Sequence, residues 1–71
     1  MTHFLAVYYN GPKAKPSRVE VKTAHTKKGE EFIISAMAGK RLNKYIGEEF
    51  QLWLNTLQEK GIRYELLKSR E

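Results

Sequence analysis

Seventy-one residues of 8.3 kDa, 41% hydrophobic and 30% charged, describe one small globular domain spanning residues 1–71 rather than a disordered chain. The absence of cysteine excludes disulfides, thiol nucleophiles and cysteine-ligated zinc together. Thirteen Lys and Arg against eight Glu, with no Asp, leave a net charge of +5 and a pI near 9.6, a balance that favours polyanionic partners.

Residues 3–9, His-Phe-Leu-Ala-Val-Tyr-Tyr, are rich in aromatic and β-branched types and too short for a helix, which predicts a strand. Apolar side chains on both of its faces place it inside a sheet. Asn10-Gly11 ends it, and the Pro12–Pro16 stretch with its interposed lysines forms a stiff extended loop. Residues 18–25 alternate, with Val19, Val21 and Thr23 on one side and Arg18, Glu20 and Lys22 on the other, which is a half-buried strand. Residues 26–29 turn the chain. Residues 30–37, Glu-Glu-Phe-Ile-Ile-Ser-Ala-Met, complete a three-stranded meander.

The period then changes. Leu42, Ile46, Phe50, Trp53, Leu54 and Leu57 recur three and four apart, predicting a helix over 42–57 with Asn43 or Gly47 at its start. Gly61 fits the position just past its end. Residues 62–68 alternate again as a last strand. The predicted fold is α+β: a small four-stranded mixed sheet, order β-β-β-α-β, with one helix on one face. The helix returns the chain, so the last strand adds beside and parallel to the first.

Strict alternation puts Leu5, Val7, Val19, Val21, Phe32, Ile34, Ile62, Tyr64 and Leu66 under the helix. The uncovered face then shows Phe4, Tyr8, Arg18, Glu20, Lys22, Ile33, Met37, Arg63 and Glu65. Phe4, Tyr8, Ile33 and Met37 are its candidate protein contacts, since an open sheet face is usually more polar. Arg and Lys stems lying over those apolar atoms are the plainer explanation.

Charge is uneven along the chain. Residues 11–44 carry nine basic side chains (Lys13, Lys15, Arg18, Lys22, Lys27, Lys28, Lys40, Arg41 and Lys44) against three glutamates, a balance of +6. Residues 45–71 balance at −1. Those nine cations, in the loop 12–18, at Lys22 of the second strand, in the turn 27–28 and in the approach to the helix at 40–44, are the candidate nucleic-acid contacts, because each phosphate met by a cation releases a condensed counterion. Gly39-Lys40-Arg41-Leu42-Asn43-Lys44 would add free N–H groups at the helix start. It is not a Walker loop, residues 30–38 hold no RNP1-like box, and no zinc-finger spacing occurs.

Catalytic signals are thin. Glu20-Val21-Lys22 has the Glu-x-Lys of some metal-dependent nucleases, but the second acid is missing. His3 and His25 are the only imidazoles, and Ser17, Ser35 and Ser69 show no activating spacing. Glu48 and Glu49 suit the helix dipole. The apolar runs are too short to span a membrane, and Met-Thr-His-Phe opens without a basic or apolar leader, so cytoplasmic residence is expected.

The sequence therefore predicts a non-enzymatic nucleic-acid-binding accessory module with no cofactor and no metal. The alternative is a small regulator or inhibitor that homodimerises, or docks on an acidic protein, through its open sheet face.

Overall fold

The computed structural model describes residues 1–71 as β1 (Thr2–Tyr8), β2 (Ser17–His25), β3 (Glu31–Met37), a 3-10 turn (Asn43–Tyr45), α1 (Phe50–Glu59) and β4 (Arg63–Arg70). The element order β-β-β-α-β is the predicted one, and each strand lies within about two residues of its predicted span. The sheet order is β3-β2-β1-β4, so β1 is internal as its two apolar faces required.

The sheet is antiparallel throughout rather than mixed. β4 runs against β1, with Tyr8 opposite Arg63 and Thr2 opposite Arg70. The reason lies in residues 38–49. That segment folds back along the outer edge of β3: Leu42 N–H donates to the Ala36 carbonyl at 2.8 Å, Gly47 N–H to the Ile33 carbonyl at 2.9 Å, and Ile33 N–H to the Glu48 carbonyl at 2.8 Å. The loop, not the helix, makes the return trip. Its last residues reach the first end of the sheet, where Glu49 bridges Phe32 and the ring of Phe50 stacks on His3 at 4.1 Å. The helix then travels in the sense of β1, and β4 must come back against it.

The same pairing shortens the helix. Residues 46–49 turn at Ile46-Gly47 and bond to β3, so α1 starts at Phe50 with Glu49 as its cap residue, and Trp53 N–H donates to the Glu49 carbonyl at 2.9 Å. The expected caps Asn43 and Gly47 lie outside it. Asn43 opens the 3-10 turn, and Gly47 takes a φ of +93° that a side chain would strain. Leu42 packs on the core from the loop, and Ile46 faces solvent. The helix end is as read: Gly61 at φ +73° donates to the Gln58 carbonyl, and Ile62 N–H to the Leu57 carbonyl, which is a Schellman closure.

The core joins Leu5, Val7, Val19, Val21, Ile33 and Ala36 of the sheet to Phe50, Trp53, Leu54 and Leu57 of α1. Alternation fails in β3. Lys22 pairs with Ser35 and Thr23 with Ile33, leaving Ile34 as the extra residue of a bulge. Ile33 therefore turns into the core at 1% exposure, while Ile34 stands 55% exposed. Phe32, opposite Ala24, is half-buried on the uncovered side. Leu66 does pair with Leu5, but it lies beyond the helix and stays exposed.

Ile33→Ala is expected to cost about 2–5 kcal/mol, whereas Ile34→Ala should change stability by less than about 0.5 kcal/mol. Urea unfolding followed by circular dichroism reads both, and equal losses would place the bulge wrongly.

Candidate nucleic-acid interface

Antiparallel connection sends the end of β1, the start of β2 and the end of β3 to one end of the sheet, as the pairs Val7–Ser17 and Glu20–Met37 show. The β1–β2 loop carries Lys13 and Lys15 there, and Arg18 follows at the start of β2. After β3 a tight reversal, with Ala38 N–H donating to the Lys40 carbonyl at 2.9 Å, puts Lys40 and Arg41 at the same end, and the 3-10 turn adds Lys44. All six side chains are exposed. Lys60, just past α1, joins them, since it and Lys44 line one hollow. The sequence pattern did not single it out, because only the helix direction brings residue 60 to this end.

Three predicted contacts lie elsewhere. Lys27 and Lys28 sit in the β2–β3 turn at the opposite end, the length of nine-residue β2 away, or roughly 30 Å. Lys22 stands opposite Thr2 and Ser35 on the uncovered face. The expected single basic flank is thus one loop end plus a separate pair. Residues 40–44 are not a helix start either: α1 begins six residues later and at the other end of the sheet, so its free N–H groups do not join these cations. Of the thirteen Lys and Arg side chains, only Arg63 reaches a carboxylate, that of Glu65 at 3.5 Å.

The loop end has an aromatic floor. Tyr9 and Tyr45 share a hydrogen bond between hydroxyls at 3.0 Å. Burial, then the Tyr45 bond, pushes the Tyr9 hydroxyl well above its ordinary ionisation range, so it stays neutral. On one side of this pair a hollow of about 260 Å³ meets Ser17, Lys40 and Leu42. On the other a hollow of about 200 Å³ runs to Trp53, Thr56 and Lys60.

The uncovered sheet face carries other apolar side chains than the sequence suggested, Phe32 among them. Ile33 is absent from it, being core. Phe4 lies under the Lys68 ammonium at 5.2 Å and Tyr8 under the Arg63 guanidinium at 5.7 Å, contacts in which cations and their stems cover the rings. Met37 remains exposed beside Ile34.

At the opposite end one side chain from each strand forms a polar row that spacing alone did not reveal. His3 is buried, its Nδ1 2.7 Å from Ser69 Oγ and its Nε2 2.5 Å from Glu31 Oε2, and Thr23 Oγ1 donates to that same oxygen at 2.5 Å. A hydroxyl–imidazole–carboxylate chain is also how serines are activated. Here neither His3, Glu31 nor Ser69 lines any of the three hollows. The row ties β4, β1, β2 and β3 together across the sheet.

No family model, curated protein or solved structure matches this chain. No helix is long and apolar enough to cross a membrane.

Burial opposes ionisation of Glu31, but the bonds from Thr23 and His3 and the His3 and His25 imidazoles outweigh it and hold the carboxyl below its usual value. A depressed carboxyl stabilises the fold above its unfolded value near ~4.3 and loses that contribution as pH falls through the folded value. Glu31→Gln is expected to lower stability at neutral pH by about 1–3 kcal/mol. The gap from the parent should narrow on acidification below pH ~4, measured as urea midpoints; a gap that is constant with pH would show that ionised Glu31 holds nothing.

Proposed function

We propose that this protein is a non-enzymatic nucleic-acid-binding module that meets a polyanion with the loop end of its sheet. The observation that carries the reading is the gathering of Lys13, Lys15, Arg18, Lys40, Arg41, Lys44 and Lys60 at one end, exposed and without carboxylate partners. Uncompensated cations on a rigid end are what phosphate recognition needs, because their pairing with phosphates releases counterions without first breaking protein ion pairs. Lys13 and Lys15 ride a proline-flanked loop that holds its shape, which lowers the ordering cost on binding. Lys27 and Lys28 lie too far away to share one short contact.

Fluorescence anisotropy with labelled DNA and RNA at two salt concentrations tests the reading. If about five phosphates are met, log affinity should fall against log salt with a slope of roughly −4. Lys40→Glu, Arg41→Glu and Lys44→Glu together should weaken binding by more than about tenfold, and Lys27→Glu with Lys28→Glu by no more than about threefold. A flat salt response, or equal loss from both ends, overturns it.

A second reading, self-association, is favoured by the β4 edge rather than by the uncovered face. β4 is exposed along nearly its whole length and has β1 as its only neighbour. The bulge that leaves Leu67 unpaired puts Glu65, opposite Ala6, and Lys68, opposite Phe4, on the same face. Two copies running antiparallel about the midpoint of Leu66 and Leu67 would set Glu65 of each opposite Lys68 of the other, with the exposed leucines between. Light scattering should then give a dimer mass that Leu66→Lys with Leu67→Lys reduces to a monomer. A monomer mass for the parent at high concentration removes this reading.

A further inference from the structure

The polar row across the far end of the sheet contains a nucleophile that the polyanion reading does not use. Ser69 stands exposed on β4, and its Oγ lies 2.7 Å from Nδ1 of His3, the residue opposite it on β1. The other ring nitrogen, Nε2, lies 2.5 Å from Glu31 Oε2 on β3. Thr23 Oγ1 donates to that same oxygen, and His25 Nε2 stands 3.7 Å from Oε1. Three strands therefore supply a hydroxyl, an imidazole and a carboxylate in hydrogen-bonded sequence.

The partners fix the direction of each proton. Glu31 is held in its ionised form, which can only accept, so His3 Nε2 must carry a hydrogen. In the neutral ring Nδ1 is then a lone pair, and it accepts from the Ser69 hydroxyl. That is the pattern of a base set to take a proton from an attacking oxygen. The ring is also fixed in place: His3 is 5% exposed, and Phe50 stacks on it at 4.1 Å with 10° between the planes. The Glu31 carboxylate stabilises the imidazolium that forms when Nδ1 takes the proton. β4 has a neighbouring strand on one side only, so alternate N–H groups along its outer edge are free donors for a developing oxyanion.

We propose that Ser69 is an acyl acceptor, a modification site at which the fold activates a serine towards thioesters and other esters with good leaving groups. Oγ bonds to the carbonyl carbon as its proton passes to His3 Nδ1. The carbonyl carbon then expels the thiolate or aryloxide, which takes up that proton, leaving acyl-Ser69 and free thiol or phenol. His3 is the base, and Glu31 positions its ring. Neither Ser69, His3 nor Glu31 lines a hollow, so the chain receives one group from a donor small enough to reach an exposed strand and does not turn substrate over. The site lies at the opposite end of the sheet from the clustered cations, and it stands or falls apart from the polyanion reading.

The folded protein is treated with an alkyl fluorophosphonate and, separately, with p-nitrophenyl acetate, and the labelled residues are located by peptide mass spectrometry. In the first reaction Oγ bonds to phosphorus while fluoride leaves with the proton. Ser17 and Ser35 of the same chain are the reference hydroxyls. Ser69 should be labelled at least about 100-fold faster than either, and at their rate once the chain is unfolded in urea. His3→Gln and Glu31→Gln should each slow Ser69 labelling by at least about tenfold with the circular dichroism spectrum retained. Should buried His3→Gln fail to fold, Glu31→Gln, at a half-buried position, carries the comparison. Glu31→Asp should restore labelling, because a carboxylate and not the shape of the residue orients the ring.

Equal labelling of the three serines in the folded protein overturns the proposal. Ser69 labelling that survives Glu31→Gln, or that persists in urea, does the same, since exposure alone would then be its cause. Acetyl groups on lysine and imidazole nitrogens with none on Ser69 are equally fatal to it.

Discussion

The two hydrogen bonds that join Ile33 to Gly47 and Glu48 govern the rest of the molecule. They bring the chain back along β3 before any helix forms. Because of them the outer edge of β3 is covered, which removes one of the two exposed sheet edges. They set the place where α1 begins, hence its sense of travel and the antiparallel sense of β4. They also leave residues 38–45 as a loop at the far end, so Lys40, Arg41 and Lys44 face solvent together instead of forming the first turn of a helix.

The charge distribution follows from this topology. In an antiparallel meander alternate connections share an end, so the β1–β2 loop and the chain leaving β3 deliver their cations to one place, while the β2–β3 turn delivers Lys27 and Lys28 to the other. The helix then closes on the first of these ends. Lys60 and the Schellman closure at Gly61 thereby border the same tyrosine pair that the loops surround. An aromatic floor ringed by exposed cations thus stands at one end of a protein whose core is only ten apolar side chains.

Two bulges tune the sheet. The one at Ile34 keeps Ile33 and Ala36 both inward, where period-two alternation would turn one of them out. The one at Leu67 gives the β4 edge matched faces about its midpoint. The polar row of Ser69, His3, Thr23 and Glu31 crosses the sheet at its other end and pins the register of all four strands, since a slip of one residue in any strand would strand a buried polar group.

The strands, the helix C-terminus at Gly61 and the internal position of β1 are legible in the sequence because each is set by neighbours two to five residues apart. Alternation, the 3.6-residue stripe and the left-handed glycine are local properties of the backbone. The stripe misleads only at Leu42 and Ile46, whose spacing continues the helical pattern although they belong to the loop. No local rule distinguishes the two, because what unwinds residues 46–49 is a pair of hydrogen bonds to β3, some fifteen residues earlier in the chain. The bulge at Ile34 is hidden for the same reason: an extra residue is defined only against its partner strand. The candidate interface is half legible. The sequence by itself determined how many cations the chain carries and that most precede residue 45. Tertiary structure alone decided which of them stand together and that Lys60 is among them, because those are relations across space that chain order does not contain.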